Sequence, residues 1–173
     1  YVPIKRIFHN MEAGRVLIYC GAGFNKKRAE RFVYSKVPLY SVKTVLVASR
    51  SLNRNLASLD DLKRYKDLKF MAIEGTSTYR LIEKLGLPVS THFIRMVDQG
   101  LELAARNNSK ILAYHSLGIL YALQDEQKWA DLKILDVTLR EYEHWMLYSK
   151  HLPAKYRDQI DRALKGLQEQ KVI

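Results

Sequence analysis

A single cysteine, Cys20, in 173 residues excludes an internal disulfide, so any core must hold without covalent staples. Long hydrophobic runs are also missing: no uncharged apolar stretch approaches the roughly 20 residues that a membrane-spanning helix needs. Glycine and proline number only 8 and 4, too few for a collagenous or low-complexity chain. What remains is an ordinary composition, 47% hydrophobic and 27% charged. A chain of this length can bury most of its apolar surface as one domain or two small lobes. The lone thiol leaves the compartment open.

Acidic residues are in short supply, 18 against 29 Lys and Arg, for a net charge of +11. Residues 1–49 hold nine Lys and Arg against Glu12 and Glu30, and Lys26, Lys27, Arg28 and Arg31 cluster there. Such a cluster can track phosphates. Zinc-type Cys/His spacing, an RNP-like aromatic strand and heptads behind a basic region are all lacking. A solvated basic face or a small-anion site is therefore preferred, and no nucleic-acid partner is expected. Catalytic signals are equally thin. The five histidines, His9, His92, His115, His144 and His151, have no metal-like spacing, and no Walker loop or Gly-x-Gly-x-x-Gly occurs. Gly21-Ala22-Gly23 is too short to count. No enzyme activity, metal or cofactor is expected.

The apolar periodicity switches repeatedly between helical and strand-like, as in an α/β protein. Ile4, Ile7, Phe8 and Met11 mark a helix over 3–13, with Pro3 in its first turn and Gly14 past its end. Residues 15–20 read as a short buried strand broken by Gly21, Ala22 and Gly23, and residues 39–49 as a β-branched strand. Ser58-Leu59-Asp60-Asp61 resembles a capping box that opens a helix through Tyr65. Strands are predicted over 68–73, 89–94 and 110–114, with further candidates at 132–137 and 145–148. Gly75-Thr76-Ser77-Thr78 is a turn feeding the helix of Leu81, Ile82 and Leu85. Helices carry Val97, Leu101, Ala104 and Ala105, then Leu117, Leu120 and Tyr121 on one face, and finally Tyr156 to Leu167. Residues 68–135 thus give β-α-β-α-β-α-β, which right-handed crossovers would wind into one parallel sheet. Flanking segments that share another sheet would make two lobes around a cleft.

Several stretches resemble one family in order and spacing. They are Met11-Glu12-Ala13-Gly14-Arg15, the run Lys27-Arg28-Ala29-Glu30-Arg31-Phe32-Val33-Tyr34-Ser35-Lys36 with Pro38-Leu39-Tyr40, and Ser58-Leu59-Asp60-Asp61-Leu62. Further on come Glu74-Gly75-Thr76-Ser77, Gln99 to Ala105, and Ser149 to Pro153. Together they are similar to the bacterial extracytoplasmic solute-binding proteins of amino-acid type, family 3, with the type II periplasmic-binding-protein fold. Each motif alone is weak, but the set covers nearly the whole chain. The resemblance implies a two-lobed α/β fold. Lobe one would comprise 1–49 plus 136–173 and lobe two 50–135, with hinge strands near 46–51 and 134–139. It also implies that a strand, a helix and a second strand precede the position of Val2 in family members. Those elements supply an aromatic lid and an acidic residue, so lobe one is expected to be incomplete here.

The same resemblance assigns candidate ligand residues. Arg28 occupies the place of an arginine that forks around a ligand carboxylate, since a guanidinium offers two parallel donors to two oxygens. The alternative is a surface arginine among Lys26, Lys27 and Arg31. Thr76, Ser77 and Thr78 sit where free amides and a helix dipole favour an anion, or serve only as an N-cap and tight turn. Tyr19, Gly21 and Gly23 lie at the end of the first strand, where the family presents backbone groups and small hydroxyls. The glycines retain only the backbone part. His115 stands where amino-acid binders place an aspartate for the ligand ammonium. Either a segment outside the sequence supplies that carboxylate, or the ligand is a simpler anion, or His115 is structural.

The expected function is a monomeric, periplasmic solute-binding protein that traps a small anionic or amino-acid-like ligand between its lobes. ABC permease subunits, or an attached signalling domain, would be its partners. A ligand-sensing regulatory domain with the same fold is the alternative. It would be distinguished by an output module in the full open reading frame.

Overall fold

The computed structural model describes residue 2 and residues 4–74, 76–90 and 94–170. The expected roles of Pro3 and Gly75, and the middle of the strand expected over 89–94, lie outside the described residues. The elements in order are α1 (Ile4–Glu12), β1 (Ile18–Gly23), α2 (Lys26–Ala29), β2 (Val33–Ser49), α3 (Leu59–Arg64) and β3 (Lys69–Met71). They continue with α4 (Ser77–Lys84), α5 (Val97–Ala105), β4 (Lys110–His115), α6 (Ser116–Ala122), β5 (Leu132–Tyr148) and α7 (Ala154–Glu169). The hydrogen-bonded strand order is β1-β5-β2-β4-β3. The chain divides into two compact units, one of Tyr1–Ser41 with Tyr142–Ile173 and one of Val42–Glu141. Strands β2 and β5 each run through a division.

In the first unit β1 pairs antiparallel with β5, Ile18 opposite Tyr148 and Gly23 opposite His144, with a bulge between Cys20 and Ala22. The bulge residue, Gly21, has φ +89°, a left-handed conformation that side chains resist. The three residues expected to break this strand are therefore inside it. Met11, Ala22, Phe32 and Leu147 form the core, with Ile7, Phe8, Val16, Tyr19 and Tyr34 packed around them. Helix α7 is tied down by a buried carboxylate: Asp161 accepts from the Tyr148 hydroxyl at 2.8 Å and from the Lys36 amide at 3.2 Å. Burial, and then the adjoining Asp161, push the Tyr148 phenol well above its ordinary range.

In the second unit β4 lies between β2, antiparallel with Thr44 opposite His115, and β3, parallel with Lys69 opposite Lys110. Strand alternation sends side chains to two cores. Leu46, Ala48, Phe70, Ile111 and Ala113 pack with Leu62 and Ile82 of α3 and α4. Val45, Val47, Met71 and Leu112 pack with Leu101, Ala104 and Ile119 of α5 and α6. Helix α5 approaches β4 so closely that a Cβ on Gly100 would lie 2.7 Å from Leu112. Helix α3 opens on the expected capping box, with Ser58 and Asp61 bonded reciprocally.

Four details differ from the sequence reading. Residues 26–29 form a helix, α2, although four residues carry no readable period. The candidates at 132–137 and 145–148 are parts of one strand, β5, whose charged middle hid its continuity. That strand neighbours β1 and β2 rather than extending the parallel pair. Leu117, Leu120 and Tyr121 of α6 face solvent, and the helix packs through Ile119.

Replacing Asp161 by Ala strands the Tyr148 hydroxyl and the Lys36 amide in a buried place. Urea unfolding is expected to show a loss of about 3 kcal/mol, and Asp161→Asn, which keeps an acceptor, less than half of that. Equal losses for both variants would contradict this account.

Candidate functional site

Arg28 lies in the first unit and is half-buried. Its backbone is set by Asn25, which caps α2 by accepting from the Arg28 amide at 3.0 Å. Its Nη1 donates to the Gly23 carbonyl at 2.6 Å and lies 3.4 Å from the Tyr34 hydroxyl. The guanidinium carbon stands 4.7 Å over the Phe8 ring, a cation–π contact. Among the described residues neither Nε nor Nη2 of Arg28 makes a hydrogen bond. The rest of the basic cluster splits up. Arg31 pairs with Glu12, while Lys26 and Lys27 are exposed. Arg28 alone among them turns toward the aromatic side chains of Phe8 and Tyr34.

The strand glycines have structural tasks as well. A Cβ on Gly21 would come within 2.9 Å of the Tyr40 hydroxyl, and one on Gly23 within 3.2 Å of the Tyr142 ring. Both tyrosines stack edge-on against the buried His144, at 5.3 and 5.2 Å, and the Tyr40 hydroxyl lies 3.3 Å from His144 Nδ1. The carbonyl of Gly23 accepts from Arg28 and from Tyr34. Tyr19, opposite Leu147 on β1, meets Phe8 edge-on at 5.6 Å.

The remaining candidates lie in the second unit. Thr76 is the N-cap of α4, accepting from the Tyr79 amide at 3.3 Å while its own hydroxyl donates to Ile73. Ser77 and Thr78 belong to the first turn of the helix rather than to the preceding turn. Ser77 Oγ accepts from Arg140 Nη2 at 3.2 Å, and Thr78 is buried. No acidic side chain occupies the first turn of α4, so its positive end is not neutralised from within that turn. His115 caps α6: its Nδ1 accepts from the Gly118 amide at 3.0 Å, which places the ring proton on Nε2. Burial pushes its imidazole below the ordinary value of 6.5. It therefore brings a neutral ring, with no charge to set against an ammonium.

Phe8, Tyr34 and Arg140 are absent from the sequence-derived set. Phe8 reads from sequence only as one apolar position of α1, and Tyr34 only as a member of the run from Lys27 to Lys36. Their contacts to Arg28 arise from tertiary packing. Among the described residues no three His, Cys, Asp or Glu side chains gather as a metal site, and no helix is long and apolar enough to cross a membrane.

Because folding depresses the His115 pKa, the unfolded chain takes up that proton first. The stability tied to His115 is complete above an ordinary value of 6.5 and falls as the pH drops from there toward the lower folded value. His115→Asn keeps a cap acceptor but does not titrate. Urea unfolding at about pH 7.5 and about pH 5.5 is expected to give a smaller difference for the variant than for the parent. An unchanged difference would remove His115 from the titrating set.

No protein-family model matches the chain, and no curated protein does. Solved structures match it over nearly its full length. The GluR0 ligand-binding core from Nostoc punctiforme, in complex with L-glutamate, is 17% identical at a TM-score of 0.77, over 99% of this chain and 76% of that one. AbpA, an amino acid ABC transporter substrate-binding protein from Streptococcus pneumoniae bound to L-arginine, is 15% identical at 0.82, over 98% and 70%. An ancestral arginine-binding protein bound to glutamine is 16% identical at 0.78, over 96% and 72%. Identities this low speak for the backbone and not for the chemistry. The chain therefore has the α/β fold of the amino-acid-type, family 3 solute-binding proteins, the type II periplasmic-binding-protein fold.

Proposed function

We propose that this chain is a non-enzymatic solute-binding module that captures a small anionic or amino-acid-like molecule in the periplasm for ABC-type uptake. Arg28, in the first unit, grips a carboxylate. The observation that carries this reading is the half-buried guanidinium, held through Nη1 while Nε and Nη2 make no hydrogen bond among the described residues. Two parallel charge-assisted bonds to a carboxylate, each worth roughly 1.5 to 3 kcal/mol, would satisfy them. The folds of an amino acid ABC transporter substrate-binding protein and of the GluR0 ligand-binding core support the same class of role.

The test is calorimetry on the full-length protein with glycine, L-glutamate, L-arginine, L-glutamine and succinate. At least one is expected to bind. Arg28→Ala is expected to weaken it about a hundredfold, the loss of two charge-assisted bonds, and Arg28→Lys, which keeps the charge but not the fork, by less. Undiminished binding by Arg28→Ala would refute the assignment.

A further inference from the structure

Resting on the reading of Arg28 as the carboxylate partner, we infer that Tyr34 and Phe8 are positioning residues that commit the guanidinium to docking a carboxylate side-on, through Nε and Nη2. A guanidinium has two bidentate edges, the end fork of Nη1 and Nη2 and the side fork of Nε and Nη2. Here the end fork is spent. One Nη1 hydrogen serves the Gly23 carbonyl at 2.6 Å, and the Tyr34 hydroxyl lies 3.4 Å from the same nitrogen.

Tyr34 holds that arrangement as a closed set. Its hydroxyl donates to the Gly23 carbonyl at 3.1 Å and accepts from the Asn25 amide at 3.2 Å. With Nη1 beside it, one hydrogen and two lone pairs are all accounted for. Phe8 fixes the plane of the guanidinium. Its ring lies under the guanidinium carbon and is itself wedged by Tyr19 and by the buried Phe32 at 5.8 Å. Asn25 fixes the backbone end of the same side chain. The long arginine is thus ordered before any ligand arrives, and preorganisation of this kind improves affinity by removing an ordering cost from the binding step.

The experiment follows the Arg28 Nε–H resonance in the full-length, 15N-labelled protein, assigned by its loss in Arg28→Lys. In the free parent this group is expected to be as rigid as the backbone. Tyr34→Phe and Phe8→Leu should each make it mobile and weaken binding of L-glutamate or succinate, whichever binds the parent tighter, by about three- to thirtyfold. Phe8→Tyr, which keeps the ring, should restore order and affinity relative to Phe8→Leu. Saturation with the same compound should shift the Nε–H resonance. A mobile Nε–H in the free parent, or unchanged order and affinity in Tyr34→Phe and Phe8→Leu alike, would overturn the positioning role. A resonance that ignores saturation would overturn the side-on edge. If neither compound binds, or Arg28→Ala binds as the parent does, the side-on inference falls with the solute-binding reading, while Nε–H order still decides the positioning role by itself.

Discussion

Two strands of seventeen residues, β2 and β5, constrain everything else, because each supplies part of both units. The first part of β2 brings Tyr34, Ser35 and Tyr40 to the first unit, and its second part places Val45 and Val47 on one face and Leu46 and Ala48 on the other in the second. Strand β5 does the same with Leu132 and Val137 at one end and Leu147 and Tyr148 at the other. Side chains alternate strictly along a strand, so a one-residue slip would reverse inside and outside in both units at once.

Around that frame the chain arranges its charges economically. Basic residues dominate the sequence, yet most are placed at the surface, where ion pairs such as Lys36 with Asp158 contribute little. Arg28 is different because its surroundings are aromatic and its partners are backbone. The Gly23 carbonyl, the Tyr34 hydroxyl and the Phe8 face take up one nitrogen and one side of the guanidinium without neutralising its charge. At the second unit's candidate positions, the α4 amides and the neutral His115 ring likewise offer donors rather than negative charge.

Much of this was legible in the sequence, and the rest fails for physical reasons. Helices α1, α5 and α7 were readable because nine or more residues repeat an apolar face. The box of Ser58 and Asp61 was readable because capping is local chemistry. Helix α2 was not, since Lys26 to Ala29 is a single turn stabilised by Asn25 and by what Arg28 touches. The full length of β2 and β5 was hidden by Lys36, Pro38 and Lys43 in one and by Arg140, Glu141 and Glu143 in the other, where the strands are partly exposed. Of the candidate site, the place of Arg28 came from the resemblance, while the half-burial of its side chain and its 2.6 Å bond to the Gly23 carbonyl came only with the structure. Tyr34 and Phe8 were invisible, because nothing in local spacing connects a strand tyrosine, a helix phenylalanine and an arginine between them.

The bulge at Gly21 makes chain length itself a structural variable. Without it, Cys20 and Ala22, two apart on one strand, would point the same way; with it, Cys20 is exposed and Ala22 is buried. Straightening the strand there with every residue kept would turn Ala22 outward and draw Gly23, with the carbonyl that Arg28 leans on, out of its register opposite His144. This edge therefore depends as much on a residue that accepts the left-handed backbone at position 21 as on the number of positions it carries.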